Sequence, residues 1–313
     1  MTVEFQLDEQ QRDFAASIDA ALGAADLPGA VRAWSAGEVA PGRKMWEQLA
    51  NLGVTALIVP EKFDGLGASP VDLVVALERL GRWCAPGPIT ESIAVAPVLL
   101  ADDDRSTQLA SGELIVTVAM PPHVPRAVDA DSAGLLLLVD EDGVSEGLSG
   151  DCRQSVDPSR RLYEVAPAGE SWQADIKRAY EFGALATAAQ LVGAAEALLH
   201  VTVDYAKQRT QFGRVIGSYQ AIKHRLADVH IAIELARPLV YGAALSLAPR
   251  DVSAANVAAG EAGLLAARCA LQTHGAIGFT QENDLSMWLL RVQALRSAWG
   301  TPAAHRRRVL EAL

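Results

Sequence analysis

The residues best equipped for binding chemistry lie in Arg209-Thr-Gln-Phe-Gly213, which runs on through Arg214-Val-Ile-Gly-Ser-Tyr-Gln220. A guanidinium, side-chain amides, an aromatic ring and a turn glycine are set between two long helical patterns. Forked guanidinium donors suit phosphate oxygens, so a nucleotide can be held here without a Gly-rich phosphate loop. A second stretch, Leu271-Gln-Thr-His-Gly-Ala-Ile-Gly-Phe-Thr280, puts the amide of Gln272 near Gly275 and Ala276, where small residues let a backbone approach a ligand closely. Each residue also has a plainer reading. Arg209 can end a helix, Gly213 can be its left-handed C-cap, and Phe212 can be core. His224 and His274 read as structural, because neither has a nucleophile motif or metal-ligand spacing around it.

Three regions must position these residues: 1–110, 111–170 and 171–313. The first is helical, with Phe14, Ile18 and Leu22 at four-residue spacing and Val71, Val74, Val75, Leu77 and Leu80 on a second apolar face. Ser69-Pro70 opens that second helix, and the loop before it, Pro60-Glu-Lys-Phe-Asp-Gly-Leu-Gly67, reads as an ordered turn. The middle region carries short β-type runs, Leu114-Ile-Val-Thr-Val118 and Leu135-Leu-Leu-Leu-Val139, with a hairpin connection at Asp140-Glu-Asp-Gly143. The last region returns to long helices, broken near 209–218, 248–251 and 275–284. Ile216, Tyr219, Ile222, Leu226, Val229 and Ile233 keep a helical period, and Ala184, Ala188, Leu191, Ala195 and Leu198 form a stripe that allows close helix packing, as in a four-helix bundle or a subunit interface. The expected fold is therefore mainly α with a small β domain.

Composition excludes several classes of function. The 313 residues, half of them hydrophobic, can fill two or three packed layers, and 27 basic against 38 acidic residues argue against nucleic acid as a partner. The one dense basic run, Arg306-Arg307-Arg308, reads as a solvated helix end. Cys84, Cys152 and Cys269 are too scattered for a disulfide framework or a thiolate metal site, so no metal is expected and a reducing cytoplasm is the natural setting. The acidic start is unlike a signal peptide, and no apolar run is expected to reach the roughly 18 residues that span a bilayer.

The order of helical domain, small β domain and helical bundle resembles the acyl-CoA dehydrogenase family over nearly the whole chain. The residues that carry the resemblance are the 60–67 loop, Leu77-Glu-Arg-Leu-Gly-Arg82, Arg209-Thr-Gln-Phe-Gly213 with Gln220, and the 271–280 loop. It implies FAD as cofactor, with Arg209, Gln211, Phe212 and Gln220 around the pyrophosphate and adenosine, and Gln272, Gly275 and Ala276 at the ADP half. In this family the ADP half of each flavin is held by a neighbouring subunit. The chemistry implied is removal of an α-proton from a CoA thioester, coupled to hydride transfer to the flavin, and it needs a carboxylate base.

The family's usual glutamate precedes a Gly-Thr pair, nine positions after the arginine that follows the second loop. With Arg291 as that arginine, Gly300 takes the glutamate's position; the alternative position, on the long helix before Arg209, is Gly183. Glu181 is two residues away, about 200° around a helix and so on another face. Glu181, Glu282 and Asp284 are expected to be solvated surface carboxylates. The middle region also departs from the family: Val116-Thr-Val-Ala-Met-Pro-Pro122 runs almost directly into Val124-Pro-Arg-Ala-Val-Asp-Ala-Asp131, where members carry a flavin-ring segment and a Trp-bearing strand. These losses resemble the short subunits of heteromeric actinobacterial acyl-CoA dehydrogenases. That resemblance implies a full-length sister chain supplying the glutamate and the ring pocket, an α2β2 assembly sharing FAD, and a CoA thioester substrate, steroid-derived in several cases. A self-sufficient homo-oligomer using a displaced carboxylate such as Glu181, and a non-enzymatic structural partner chain, are the alternatives.

Overall fold

Matched capping boxes start two of the N-terminal helices. In α1 (Glu9–Gly23) the Asp8 carboxylate accepts from the Gln11 N–H at 2.8 Å, and the Gln11 amide oxygen accepts from the Asp8 N–H at 3.2 Å. After α2 (Leu27–Ser35) and α3 (Ala40–Asn51), Ser69 and Asp72 cap α4 (Pro70–Arg82) in the same way. Ile18, Leu22, Val74, Val75, Leu77 and Leu80 are buried, as their spacing predicts. The 60–67 segment is the expected ordered turn, and a Cβ on Gly65 would lie 1.9 Å from the Val59 carbonyl oxygen, so only glycine closes it. A π-helical stretch, Thr90–Val95, then leads into α5 (Ala96–Leu99) and α6 (Arg105–Ala110). The computed structural model describes residues 7–280 and 283–313, so Glu282 lies outside the described residues.

The middle region forms β1 (Val116–Ala119), β2 (Ala127–Val128), β3 (Leu135–Asp140), β4 (Gly143–Arg153) and β5 (Leu162–Trp172) in the order β1-β3-β4-β5-β2. Only β1 and β3 run parallel, and Asp140 pairs with Gly143 across the predicted hairpin. The two 11-residue strands β4 and β5 lacked an apolar signature because, past Ser145, they form a largely exposed ribbon that buries little.

The rest of the chain is α7 (Ile176–Gln208), a small hairpin of β6 (Thr210–Gln211) and β7 (Arg214–Val215), then α8 (Gln220–Ser246), α9 (Pro249–His274), α10 (Leu285–Leu295) and α11 (Pro302–Glu311). Ile216 and Tyr219 fall before α8, not on it: residues 216–218 make a separate 3-10 turn, held by the Ser218 hydroxyl donating to the Val215 carbonyl at 2.7 Å. By length and composition α7 could cross a membrane, contrary to the expectation that no such run exists, but its apolar stretch is 89% buried inside the fold. The Ala184, Ala188, Leu191, Ala195 and Leu198 stripe is fully buried. At Gly193 a Cβ would sit 1.9 Å from the Glu78 carbonyl oxygen and at Gly81 2.2 Å from that of Gln190, so α4 and α7 meet backbone to backbone.

One buried cation ties the three regions together. Arg291 of α10 donates to the Asp157 carboxylate at 2.6 Å, to the Ser159 hydroxyl at 2.9 Å and to the Ala85 carbonyl at 2.8 Å. Burial alone would push Asp157 upward, but the guanidinium and these hydrogen bonds outweigh it and hold the carboxyl below its ordinary range. Replacing Arg291 by Met should lower the unfolding free energy by about 3–5 kcal/mol, because it strands a buried carboxylate. Denaturant titration measures this, and adding Asp157→Leu to the variant should recover part of the loss.

Candidate functional site

Residues from both nucleotide-like motifs are brought to one end of the bundle. Tyr205, in the last turn of α7, stacks on His274 at the end of α9 with ring centroids 4.2 Å apart, which sets the 209–215 hairpin beside the 272–276 loop. His274 is buried with Nδ1 2.9 Å from the Ala270 carbonyl oxygen, and burial lowers its pKa, in keeping with a structural role.

Arg209 does cap α7: its N–H donates to the Tyr205 carbonyl at 2.9 Å, its carbonyl accepts from Ile216 at 2.8 Å, and its side chain is exposed. Gly213 is no helix C-cap. It and Phe212, at φ +79 and +52, are the central pair of a tight two-residue turn closed by Gln211 and Arg214. Phe212 is 91% exposed and so is not core. Gln211, Gln220, Gln272 and Ala276 are exposed as well, and Gly275, at φ +65, has open space where a Cβ would point. Tyr219 stiffens the hairpin by donating to the Gln211 carbonyl at 3.2 Å beneath the Arg214 guanidinium. The result is a solvated, preformed surface bearing a cation, amides and an aromatic ring.

The two glycines singled out as base positions converge on Trp299. A Cβ on Gly183 would fall 2.3 Å from the Trp299 ring. Gly300, at φ +109, would set a Cβ 2.6 Å from the Tyr180 hydroxyl and 2.7 Å from His305 Nε2. The indole is fully buried and donates to Glu91 at 3.0 Å, while the Trp299 carbonyl accepts from Tyr180 at 3.2 Å and lies 2.9 Å from His305 Nε2. Trp299, Tyr180 and His305 carried no motif in the sequence; the available signal was a bulky aromatic beside one glycine with a second glycine at the alternative position.

Chain similarity agrees with this architecture. The model of the acyl-CoA dehydrogenase N-terminal domain matches residues 8–102, and that of the acyl-CoA dehydrogenase C-terminal domain matches 172–313. The protein called acyl-CoA dehydrogenase IpdE2 is 31% identical in Mycolicibacterium smegmatis, covering 90% of this chain and 92% of that one, and 32% identical in Mycobacterium tuberculosis, covering 90% of each. The chain belongs to the acyl-CoA dehydrogenase family. Butyryl-CoA dehydrogenase from Megasphaera elsdenii shares the fold at TM-score 0.85, with 18% identity over 99% of each chain. A chain of the ChsE4-ChsE5 complex from Mycobacterium tuberculosis does so at TM-score 0.86, with 22% identity over 99% of this chain and 98% of that one.

Within this acyl-CoA dehydrogenase fold, Glu181 is not the solvated carboxylate expected. It is 7% exposed and paired with Arg308, which also donates to Ser253 at 3.0 Å. Burial raises the Glu181 pKa against the opposing effect of Arg308. Arg308 is thus half-buried and engaged, not solvated as expected, while Arg306 and Arg307 are exposed as a helix end would be, with Arg306 2.5 Å from Glu261. Asp284 is exposed and paired with Arg32, as a surface carboxylate.

Restoring a carboxylate by Gly183→Glu or Gly300→Glu should yield no turnover and should cost about 1–3 kcal/mol or more of stability through overpacking, as read by thiol-ester oxidation assays and thermal unfolding. His305, buried against Ser253 and Trp299, has its pKa pushed down to about 4. As pH falls from about 6.5 to 4 the unfolded chain takes up this proton first, so stability drops by on the order of 3 kcal/mol. A His305→Asn variant should show a flatter pH dependence in urea titrations.

Proposed function

We propose that this chain is the non-catalytic subunit of an FAD-dependent acyl-CoA dehydrogenase and holds the ADP half of FAD for a catalytic sister chain. The observation that carries this reading is the packing at the two candidate base positions: a Cβ on Gly183 would meet the Trp299 indole and one on Gly300 would meet Tyr180 and His305, so neither position has room for a carboxylate. FAD, when bound, would supply the acceptor for a hydride from the β-carbon of the CoA thioester. In this chain Arg209 would meet pyrophosphate oxygens, Gln211, Gln220 and Gln272 would offer amide contacts, Phe212 would give an aromatic face, and Gly275 and Ala276 would leave room for the ligand. The fit stops there, because neither Gly183 nor Gly300 has room for the carboxylate that the reaction needs. Three regions, 1–110, 111–170 and 171–313, would divide this labour, with the reduced middle region serving as scaffold.

A partner is supported by the apolar residues Ile231, Leu235, Leu239 and Leu245 along α8, which are 46–68% exposed in the single chain, since apolar residues gathered on one exposed helix mark an interaction surface. The fold also occurs in a complex of two differently named chains, ChsE4 and ChsE5. We read the partner as a full-length acyl-CoA dehydrogenase chain, the assembly as α2β2 in the cytoplasm, and the substrate as a CoA thioester, with a steroid-derived acyl group as one candidate.

Co-expression with full-length sister chains tests this. The complex should retain FAD and oxidise acyl-CoA, whereas stoichiometric FAD and full turnover in this chain alone, lost in Glu181→Gln, would establish the self-sufficient enzyme instead. Within the complex, Arg209→Ala should weaken FAD retention about tenfold or more, the loss of one charge-assisted contact. Unchanged flavin content in that variant and in Gln272→Ala would leave only a structural partner chain.

A further inference from the structure

A cavity of about 350 Å³ lies where the β1–β2 connection, the β4–β5 connection and α10 meet. Much of its wall is apolar, from Val124, Val128, Val156, Leu162, Ala294 and Ala298. Set among these are the guanidiniums of Arg126 and Arg160 and the imidazole of His123, with neutral donors in the amides of Gln154 and Gln293. Glu91 is the one carboxylate in the lining; it is fully buried, and one of its oxygens accepts from the Trp299 indole at 3.0 Å. Two guanidiniums against one carboxylate leave the lining with a net positive charge.

Arg160 is the informative group. It is 3% exposed, yet its guanidinium makes no hydrogen bond or ion pair among the described residues. The carboxylates that feel its charge are already engaged: Asp157 accepts from Arg291 at 2.6 Å, and Asp129 accepts from the Arg161 N–H at 2.9 Å. Arg291, equally buried, shows what such a group ordinarily requires, since it donates to three acceptors. A charge taken out of water without a partner is costly, and such groups in native proteins call for an explanation. The Arg160 nitrogens, unlike Nε of Arg126, are not sealed from solvent, so the space they face is the cavity.

The geometry points to an anion-binding site in this cavity, one that takes the carboxylate of a compact, largely apolar organic acid on the Arg160 guanidinium. Charge and surface select the class together. A cation would meet Arg126 and Arg160, and a neutral molecule would leave the buried guanidinium uncompensated. A carboxylate matches the guanidinium fork, and the apolar walls accept the body that carries it, which an inorganic anion lacks. A flavin ring is the rival occupant, because residues 124–131 stand where relatives of this fold carry a flavin-ring segment. The oxidised ring is uncharged, however, and offers no charge to balance Arg160. The site therefore does not rest on how this chain holds FAD.

2-Naphthoate is a suitable probe: a fluorescent apolar body with one carboxylate. Its titration into the full chain, followed by fluorescence, should show saturable one-site binding. 2-Naphthamide, which keeps the body and loses the charge, should bind about tenfold or more weakly, the worth of a charge-assisted hydrogen bond. Arg160→Gln should remove the preference between the two probes. Ser297→Asp, at an exposed position of α10 on the cavity lining, leaves Arg160 in place and sets a negative charge nearby. It should weaken 2-naphthoate about threefold, the effect of a like charge several ångströms away in water, and leave 2-naphthamide unchanged. Absence of saturable binding, equal affinity for both probes in the unaltered chain, a preference that survives in folded Arg160→Gln, no loss of 2-naphthoate affinity in Ser297→Asp, or displacement of 2-naphthoate by riboflavin would each overturn the proposal.

Discussion

The buried Arg291 guanidinium is the constraint on which the arrangement of the three regions depends. It is 1% exposed, and removing a full charge from water is tolerable only if every donor finds an acceptor. Its acceptors lie on two separate pieces of chain, both distant from α10: the carbonyl of Ala85 after α4, and Asp157 and Ser159 in the β4–β5 connection. The N-terminal helices, the sheet and the bundle cannot shift independently without unpairing it. Because Arg291 sits within α10, the same contacts fix the angle at which that helix delivers residues 296–300, and hence the aim of Trp299.

Close approach within α7 provides the other half of the site. A helix with this many buried small residues allows α4 to touch its backbone at Gly193 and allows an indole to lie against Gly183. Its composition would suit a membrane, but its apolar faces are used on all sides by neighbouring helices, and the buried Gln190 amide is satisfied by Thr90 at 2.7 Å. Nearby charges are handled in the same way: Glu78, 3% exposed, accepts from Arg79 at 2.8 Å, Arg237 at 3.1 Å and Tyr241 at 3.2 Å. Polar groups at this junction are few, paired and shared between helices.

The sequence made the helices legible because amphipathic spacing, the Ser69-Pro70 cap and the glycine-bearing turns are local signals. The Asp140–Gly143 hairpin was legible for the same reason. The long β4–β5 ribbon was not, since exposed strands carry no apolar alternation. Glu181 was misjudged as solvated because its burial comes from Arg308, 127 positions away, and no local pattern encodes that distance. Trp299 was hidden for a related reason: its role exists only where Gly183 and Glu91, from two other helices, close around it.

The two ends of the bundle differ in how they balance strain and packing. Around Trp299, the indole takes up the space left at Gly183, and Tyr180 and His305 take up that at Gly300, so the interior keeps its density and the closed position is a stable feature of the core. At the hairpin the balance is the opposite. Phe212 is held at positive φ, a conformation that costs a non-glycine residue about 1–2 kcal/mol, and its ring gains almost no burial in return. A hydrophobic side chain placed at such a cost and left in water is not explained by the stability of its own chain. Its compensation has to be sought in what the hairpin touches, which is why the exposed end of this molecule, and not its packed interior, carries the argument for a ligand shared with another surface.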